Sequence, residues 1–366
     1  MRIPIAAALV LTPLAVASAC AAPAVAPQSA SAAPAAVTDR VAPKPLYRDP
    51  LYDGAADPVV IWNPAVGRWW MFYTNRRANV PGLSGVAWVH GTPIGIAESA
   101  DGGLTWRPAG EAVIQLPPDV AGEQPTWWAP DVLTAPDGTH HMFLTVVPGV
   151  FEDWNHPRRL VHLTSRDLRT WSQGRVLALA SDRVIDAVVH RLPDGTWRMW
   201  YNNERDGKSI YYADSPDLEN WTDRGRCAGV AGRCEGPYVF QWKGRAWMIV
   251  DTWRGLGVYR SDDFEHWTGQ PELLLAKPGR GADDGVNGGH AGIVVNGDRA
   301  FCFYFTHPGR AGTITPQDKN ALETRRSSIQ VVELFERAGV LSCDRDTPTR
   351  ITLVPPAAAA PANASR

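Results

Sequence analysis

Five times along this 366-residue chain, a polar residue opens a short apolar strand, and a second apolar strand follows at a nearly fixed distance. The openings are Asp57-Pro58-Val59-Val60, Asp131-Val132-Leu133, Asp186-Ala187-Val188-Val189, Glu235-Gly236-Pro237-Tyr238-Val239 and His290-Ala291-Gly292-Ile293. Each lies 11 to 14 residues ahead of a sulfur-bearing residue in the next strand: Met71, Met142, Met199, Met248 and Cys302. Polar turns such as Pro136-Asp137-Gly138, Pro193-Asp194-Gly195 and Asn296-Gly297-Asp298 separate the paired runs, which therefore read as hairpins. The unit recurs every 49 to 74 residues. Repeats of this size with several short strands each are the signature of a β-propeller, here all-β and five-bladed. The runs are continuously apolar instead of alternating, as expected of blades covered on both faces by their neighbours. Ile329–Leu334 should complete the fifth blade, and the segment around Leu46–Tyr47 should supply a closing strand.

A second pattern interleaves with the first. Ser99, Ser165, Ser215 and Ser261 each precede an Asp by two residues and a Trp by six or seven. Asp and Ser fold the backbone into local turns, and the Trp plugs the adjoining strands, so these elements should be structural.

The ends of the chain read differently. Residues 1–20 have one early Arg, an apolar run and a small-residue exit, which is a secretory leader. Cys20 follows that exit directly and resembles a bacterial lipoprotein cleavage box, with Ala17 where Leu is usual. Plain secretion is the alternative. Lipidation of Cys20 would attach the protein to a membrane. Residues 21–45, rich in Ala, Pro and Ser, should be a flexible tether; 46–354 form the propeller, and 355–366 a disordered tail. Export permits disulfides, with Cys227/Cys234 and Cys302/Cys343 as candidate pairs and buried thiols as the alternative. Thirty-six Lys and Arg against 38 Asp and Glu leave a net charge of −2, so no basic excess points to nucleic acid.

In a propeller the innermost strand of each blade lines the axis, so Asp57, Asp131, Asp186, Glu235 and His290 should meet at one end of the channel. Burying charges is costly unless they pair or function. Carboxyls crowded together are driven to different proton affinities, and one protonated plus one ionised carboxyl is what glycosidic hydrolysis needs. Trp62, Trp69, Trp127, Trp128 and Trp253 offer faces for sugar rings, and Tyr73 and Arg254 are further candidate sugar contacts.

The order Ala56-Asp57-Pro58, Trp128-Ala129-Pro130-Asp131, Val184-Ile185-Asp186 and Glu235-Gly236-Pro237-Tyr238 resembles the family 43 glycoside hydrolases from about Arg48 to Leu341. The resemblance implies inverting hydrolysis of arabinofuranosides, xylosides or galactosides by a monomer that needs no organic cofactor. It implies Asp57 as general base, Asp186 as the residue that tunes and orients, and Glu235 as general acid. Asp131, Trp128, Trp253, Arg254, Tyr73 and His290 would bind sugar, and His290 is also the position at which a channel Ca2+ would be held. Ala187 departs from the family pattern, which usually has Pro after the middle Asp. The rivals are a retaining invertase-like enzyme, a sialidase-like enzyme and a non-catalytic carbohydrate-binding propeller.

Overall fold

The computed structural model describes residues 41–312, 315 and 321–356. The leader with Cys20, the tether up to residue 40 and the tail from 357 lie outside them. Five antiparallel sheets follow one another along the chain. The first blade is β1 (Ala55–Asn63), β2 (Arg68–Asn75), β3 (Ile94–Ser99) and β4 (Arg107–Glu111). A short β5 (Val113–Ile114) then runs parallel to the outer edge of the second blade. That blade is β6 (Thr126–Thr134), β7 (His140–Val147), β8 (Arg159–Ser165) and β9 (Thr170–Val176). The third is β10 (Val184–Arg191), β11 (Trp197–Asn203), β12 (Ser209–Ser215) and β13 (Thr222–Arg226). The fourth is β14 (Glu235–Trp242), β15 (Arg245–Asp251), β16 (Leu256–Ser261) and β17 (Thr268–Gly269). The fifth is β18 (Gly289–Asn296), β19 (Arg299–Thr306), β20 (Ser328–Arg337) and β21 (Val340–Cys343). The inner strands β1, β6, β10, β14 and β18 touch in a closed ring.

The five sulfur-bearing residues explain the spacing. Met71, Met142, Met199, Met248 and Cys302 are all fully buried, and each sits in a different one of the five apolar clusters between neighbouring blades. A Met buried in this way stabilises by about 1.5–3 kcal/mol, and its adaptable side chain fills the gap between two twisted sheets. The Ser-x-Asp elements form the expected turns: Ser99 Oγ to Asp101 is 2.9 Å, and the Trp171 indole N–H donates to the Leu168 carbonyl at 3.1 Å.

Every inner strand is broken by a bulge at its start. Each bulge contains one residue in the left-handed region: Asp57 (φ 54°), Ala129 (φ 40°), Asp186 (φ 57°), Gly236 (φ 55°) and His290 (φ 26°). Left-handed backbone costs a non-glycine residue roughly 1–2 kcal/mol. Neighbouring blades hold it in place. The N–H groups of Ala129 and Asp186 donate to Thr74 Oγ1 (2.8 Å) and Thr145 Oγ1 (3.0 Å) on the preceding blade. Those of Gly236 and His290 donate to Asp186 Oδ2 (3.1 Å) and Asp251 Oδ2 (2.9 Å). The equivalent positions are therefore not quite those expected from sequence. In the second blade the place belongs to Ala129, with Asp131 two residues further along the strand. In the fourth it belongs to Gly236, with Glu235 one residue before it.

The fifth blade takes all four strands from the C-terminal part of the chain. Among the described residues, the N-terminal segment adds only isolated bridges, Tyr47 to Ile329, Gly54 to Ser327 and Val41 to Arg350. Beneath it, the fully buried Asp284 binds Lys44, Arg345 and the Tyr304 hydroxyl. Cys227, Cys234, Cys302 and Cys343 are free thiols. Cys302 on β19 and Cys343 on β21 have β20 between them. Two strand spacings, about 9.5 Å, exceed the reach of a disulfide, so that pairing is ruled out by the sheet.

Candidate active site

The bulged ends of the inner strands surround a cavity of about 820 Å³. Asp57, Asp186, Glu235, His290, Trp128 and Trp253 all line it. The other three expected residues do not. Asp131 is turned between blades, where its carboxylate accepts the Val189 N–H at 2.8 Å, and burial pushes its pKa up to about 7. Tyr73 points into the core and donates to Asp49 at 2.7 Å. Arg254 is exposed on the loop beyond Trp253, outside the cavity wall. Trp62 and Trp69 pack edge to face in the cluster between the first and fifth blades, and Trp127 packs between the first and second.

Asp57 faces two cationic or cation-forming groups. Arg76 Nη2 lies 3.1 Å from Oδ1, and His290 Nδ1 lies 3.5 Å from the same oxygen. Burial alone would raise the Asp57 pKa, but Arg76, His290 and a hydrogen bond from Thr74 outweigh it and hold the carboxyl below its usual range. Asp186 is the opposite case. Burial, then the charges of Glu235 and Asp57, push its pKa well up, so that it retains a proton.

Glu235 is held from both sides. Lys208 Nζ lies 2.8 Å from Oε2, and the Trp253 indole N–H donates to Oε1 at 2.9 Å. Lys208 is shared with Glu204 at 2.6 Å, and Arg158 binds Glu204 in turn. The Glu-Gly-Pro motif has a steric origin here. A Cβ on Gly236 would come within 2.8 Å of the His290 ring, so only glycine lets the third, fourth and fifth blades converge beside Glu235.

Several lining residues were missed in the sequence. Asp251 ends β15 and accepts two backbone N–H bonds, from His290 at 2.9 Å and from Trp253 at 2.6 Å. Burial and the charge of Glu235 raise its pKa to about 7. Trp253 itself has φ 59°, so Asp251 holds a strained aromatic clamp next to Glu235. Arg76 follows β2, and Trp88 and Trp154 come from the two long insertions of the first and second blades. The Trp128 indole N–H donates to the Val89 carbonyl at 2.6 Å, which fixes its ring against the first insertion. A polar residue or aromatic at the end of each second strand would have been the usable signal.

His290 is poorly suited to a divalent ion. Its Nδ1 faces Asp57, and the guanidinium of Arg76 occupies the other side of that carboxylate. Among the described residues, no group of three or more His, Cys, Asp or Glu has the arrangement of a metal site.

An ionised carboxylate, a second carboxyl pushed toward its protonated form and a wall of indoles around one cavity form equipment for protonating a leaving group and activating water. No tyrosine is among the lining residues, and a sialidase-type site needs one as nucleophile.

No family model matches the sequence, and no curated protein matches it. Many solved structures share its fold. One is a thermostable family-43 glycoside hydrolase, with TM-score 0.58 and 17% identity over 85% of this chain and 99% of that one. Another is a family-43 β-1,3-galactosidase solved with galactodeoxynojirimycin, with TM-score 0.57 and 16% identity over 83% and 98%. A third is a family-43 enzyme from Xanthomonas citri complexed with xylotriose, with TM-score 0.56 and 16% identity over 79% and 90%. The chain thus shares the five-bladed fold of the family 43 glycoside hydrolases.

Proposed function

We propose that this protein is a glycosidase that hydrolyses its substrate with inversion, Glu235 acting as general acid and Asp57 as general base. The observation that carries the reading is the split within one cavity. Asp57 is held ionised by Arg76 and His290, while burial and the neighbouring charges of Glu235 and Asp57 push Asp186 toward its protonated form. In the mechanism, the sugar enters among Trp128, Trp154 and Trp253. Glu235 gives a proton to the departing oxygen, steadied by the Trp253 indole. Asp57 takes a proton from a water on the far side of the ring, and the anomeric carbon passes through an oxocarbenium-like state. Asp186 accepts the Gly236 N–H and so sets the pose of Glu235. Carbohydrate is the only partner required. The leader would export the protein, and Cys20 is its point of membrane attachment if it is lipidated.

The test is a panel of neutral and acidic aryl glycosides, with the anomeric configuration of the first product followed by NMR. Asp57→Asn and Glu235→Gln should each lose turnover by about 10²–10⁴-fold while still binding sugar. A product that keeps its anomeric configuration would exclude the inverting mechanism. Full activity in both variants would exclude Asp57 and Glu235 as base and acid, and no hydrolysis of any glycoside by the unaltered protein would leave only a carbohydrate-binding protein.

A further inference from the structure

The cations of the cavity are unevenly matched by its acids. Arg76 is matched by Asp57, Arg158 by Glu204, and Lys208 by Glu204 and Glu235. Among the described residues, no carboxylate pairs with Arg310 or Arg233. Arg310 is the more informative of the two. It closes the short turn after β19, donates through Nε to the Thr324 carbonyl at 2.8 Å, and lies 5.9 Å from the centre of the Trp88 ring. Among the described residues its terminal nitrogens have no hydrogen-bond partner, and its side chain lines the cavity.

The groups around it supply no counter-charge. His307 uses one ring nitrogen on the Arg326 carbonyl at 2.7 Å, so that nitrogen carries the proton. The other faces Arg76 Nη1 at 3.2 Å as an acceptor. Burial, then Arg310 and Arg76, keep this imidazole uncharged. Burial and the neighbouring Arg76 also lower the Arg310 pKa to about 10, the mark of a guanidinium lacking an anion. Asp186 and Asp251 line the same cavity, but burial raises both, so they return less negative charge than their number suggests. A neutral sugar would leave this corner positive. A carboxylate fits it, because a guanidinium fork binds carboxylate in two parallel bonds and Trp88 offers a flat wall beside it.

We infer that the sugar bound beside Asp57 carries a carboxylate, as in a uronic acid residue, and that Arg310 is the group that recognises it. The inference rests on the glycosidase reading for its catalytic meaning, but binding tests it separately. Quenching of the cavity tryptophans, or calorimetry, would compare sodium glucuronate and sodium galacturonate with glucose and galactose. The uronates should bind at least about tenfold more tightly. Arg310→Gln should abolish that preference, and Arg310→Lys should keep part of it. If Arg310→Gln fails to fold, loss of the wild-type preference in high salt decides instead, because the pairing is ionic.

Equal binding of uronates and neutral sugars would overturn the inference. So would a preference that survives Arg310→Gln, or stronger competition by inorganic sulfate than by either uronate. Hydrolysis of aryl xylosides or galactosides but not of uronides would also overturn it, leaving the glycosidase reading intact. Uronate binding lost with Arg310→Gln, but with no glycoside hydrolysed, would support the inference and remove the catalytic reading.

Discussion

Replacing Arg76 by Met removes the group that keeps Asp57 ionised. The guanidinium lies 3.1 Å from the carboxylate, and both side chains are largely buried. At an effective dielectric of ~20, that separation corresponds to about 5 kcal/mol of gross attraction. Part of it offsets the desolvation of the pair, and breaking a buried pair from one side costs about 3–5 kcal/mol. Met keeps the packing against Phe305, whose ring now lies 4.7 Å from the guanidinium carbon. The sign follows from the depressed Asp57 pKa. The pair stabilises the fold above the unfolded-state carboxyl range, and that contribution is lost as pH falls through the folded-state value. The stability gap between wild type and Arg76→Met, read by urea denaturation, should therefore be large at neutral pH and shrink in acid. Without Arg76 the base protonates more readily, so the acid limb of kcat/KM should move to higher pH. An unmoved acid limb, together with a stability loss under about 1 kcal/mol, would refute the assignment of Asp57 as a base poised by Arg76.

Three further outcomes follow from the same structure. Asp251→Ala frees the His290 and Trp253 N–H groups and should raise KM more than it lowers kcat, with about 1–3 kcal/mol of stability lost; an unchanged KM would argue against the clamp. Ala129→Gly relieves a left-handed backbone worth ~1–2 kcal/mol and gives back ~0.4–1 kcal/mol in unfolded-chain entropy, so the Tm should hold or rise, and a clear fall would refute the strain. Arg345→Met leaves Asp284 with Lys44 as its remaining cationic partner and should cost about 3–5 kcal/mol, measured by chemical denaturation.

The sequence carried the architecture because the constraint on it is periodic. Each blade must pack a sulfur side chain between two sheets, so Met71 to Cys302 keep their distance from the inner strand. The site was only partly legible because its register is set by bulges, not by the apolar pattern. A bulge shifts the strand without disturbing the hydrophobic run after it, so Asp131 looked equivalent to Asp57 although Ala129 holds that place. Arg76, Lys208 and Asp251 escaped notice for another reason. They sit where second or third strands begin or end, and charged residues there are ordinary on any protein surface. Only the ring closure turns them inward. Tyr73 misled in the opposite direction: an aromatic near a motif is usually core, and this one is.

Among the described residues no strand is donated from one end of the chain to the other, and the first and last blades meet through β1 against β18 and through isolated bridges. Asp57 belongs to the first blade and His290 to the last, and they face each other across that junction. The join between the two ends of the ring thus runs beside Asp57. Trimming residues 41–47 would leave all five sheets their strands but remove the Tyr47 bridge and the Lys44 partner of Asp284, and the loosened seam should show as a shifted pH profile of hydrolysis.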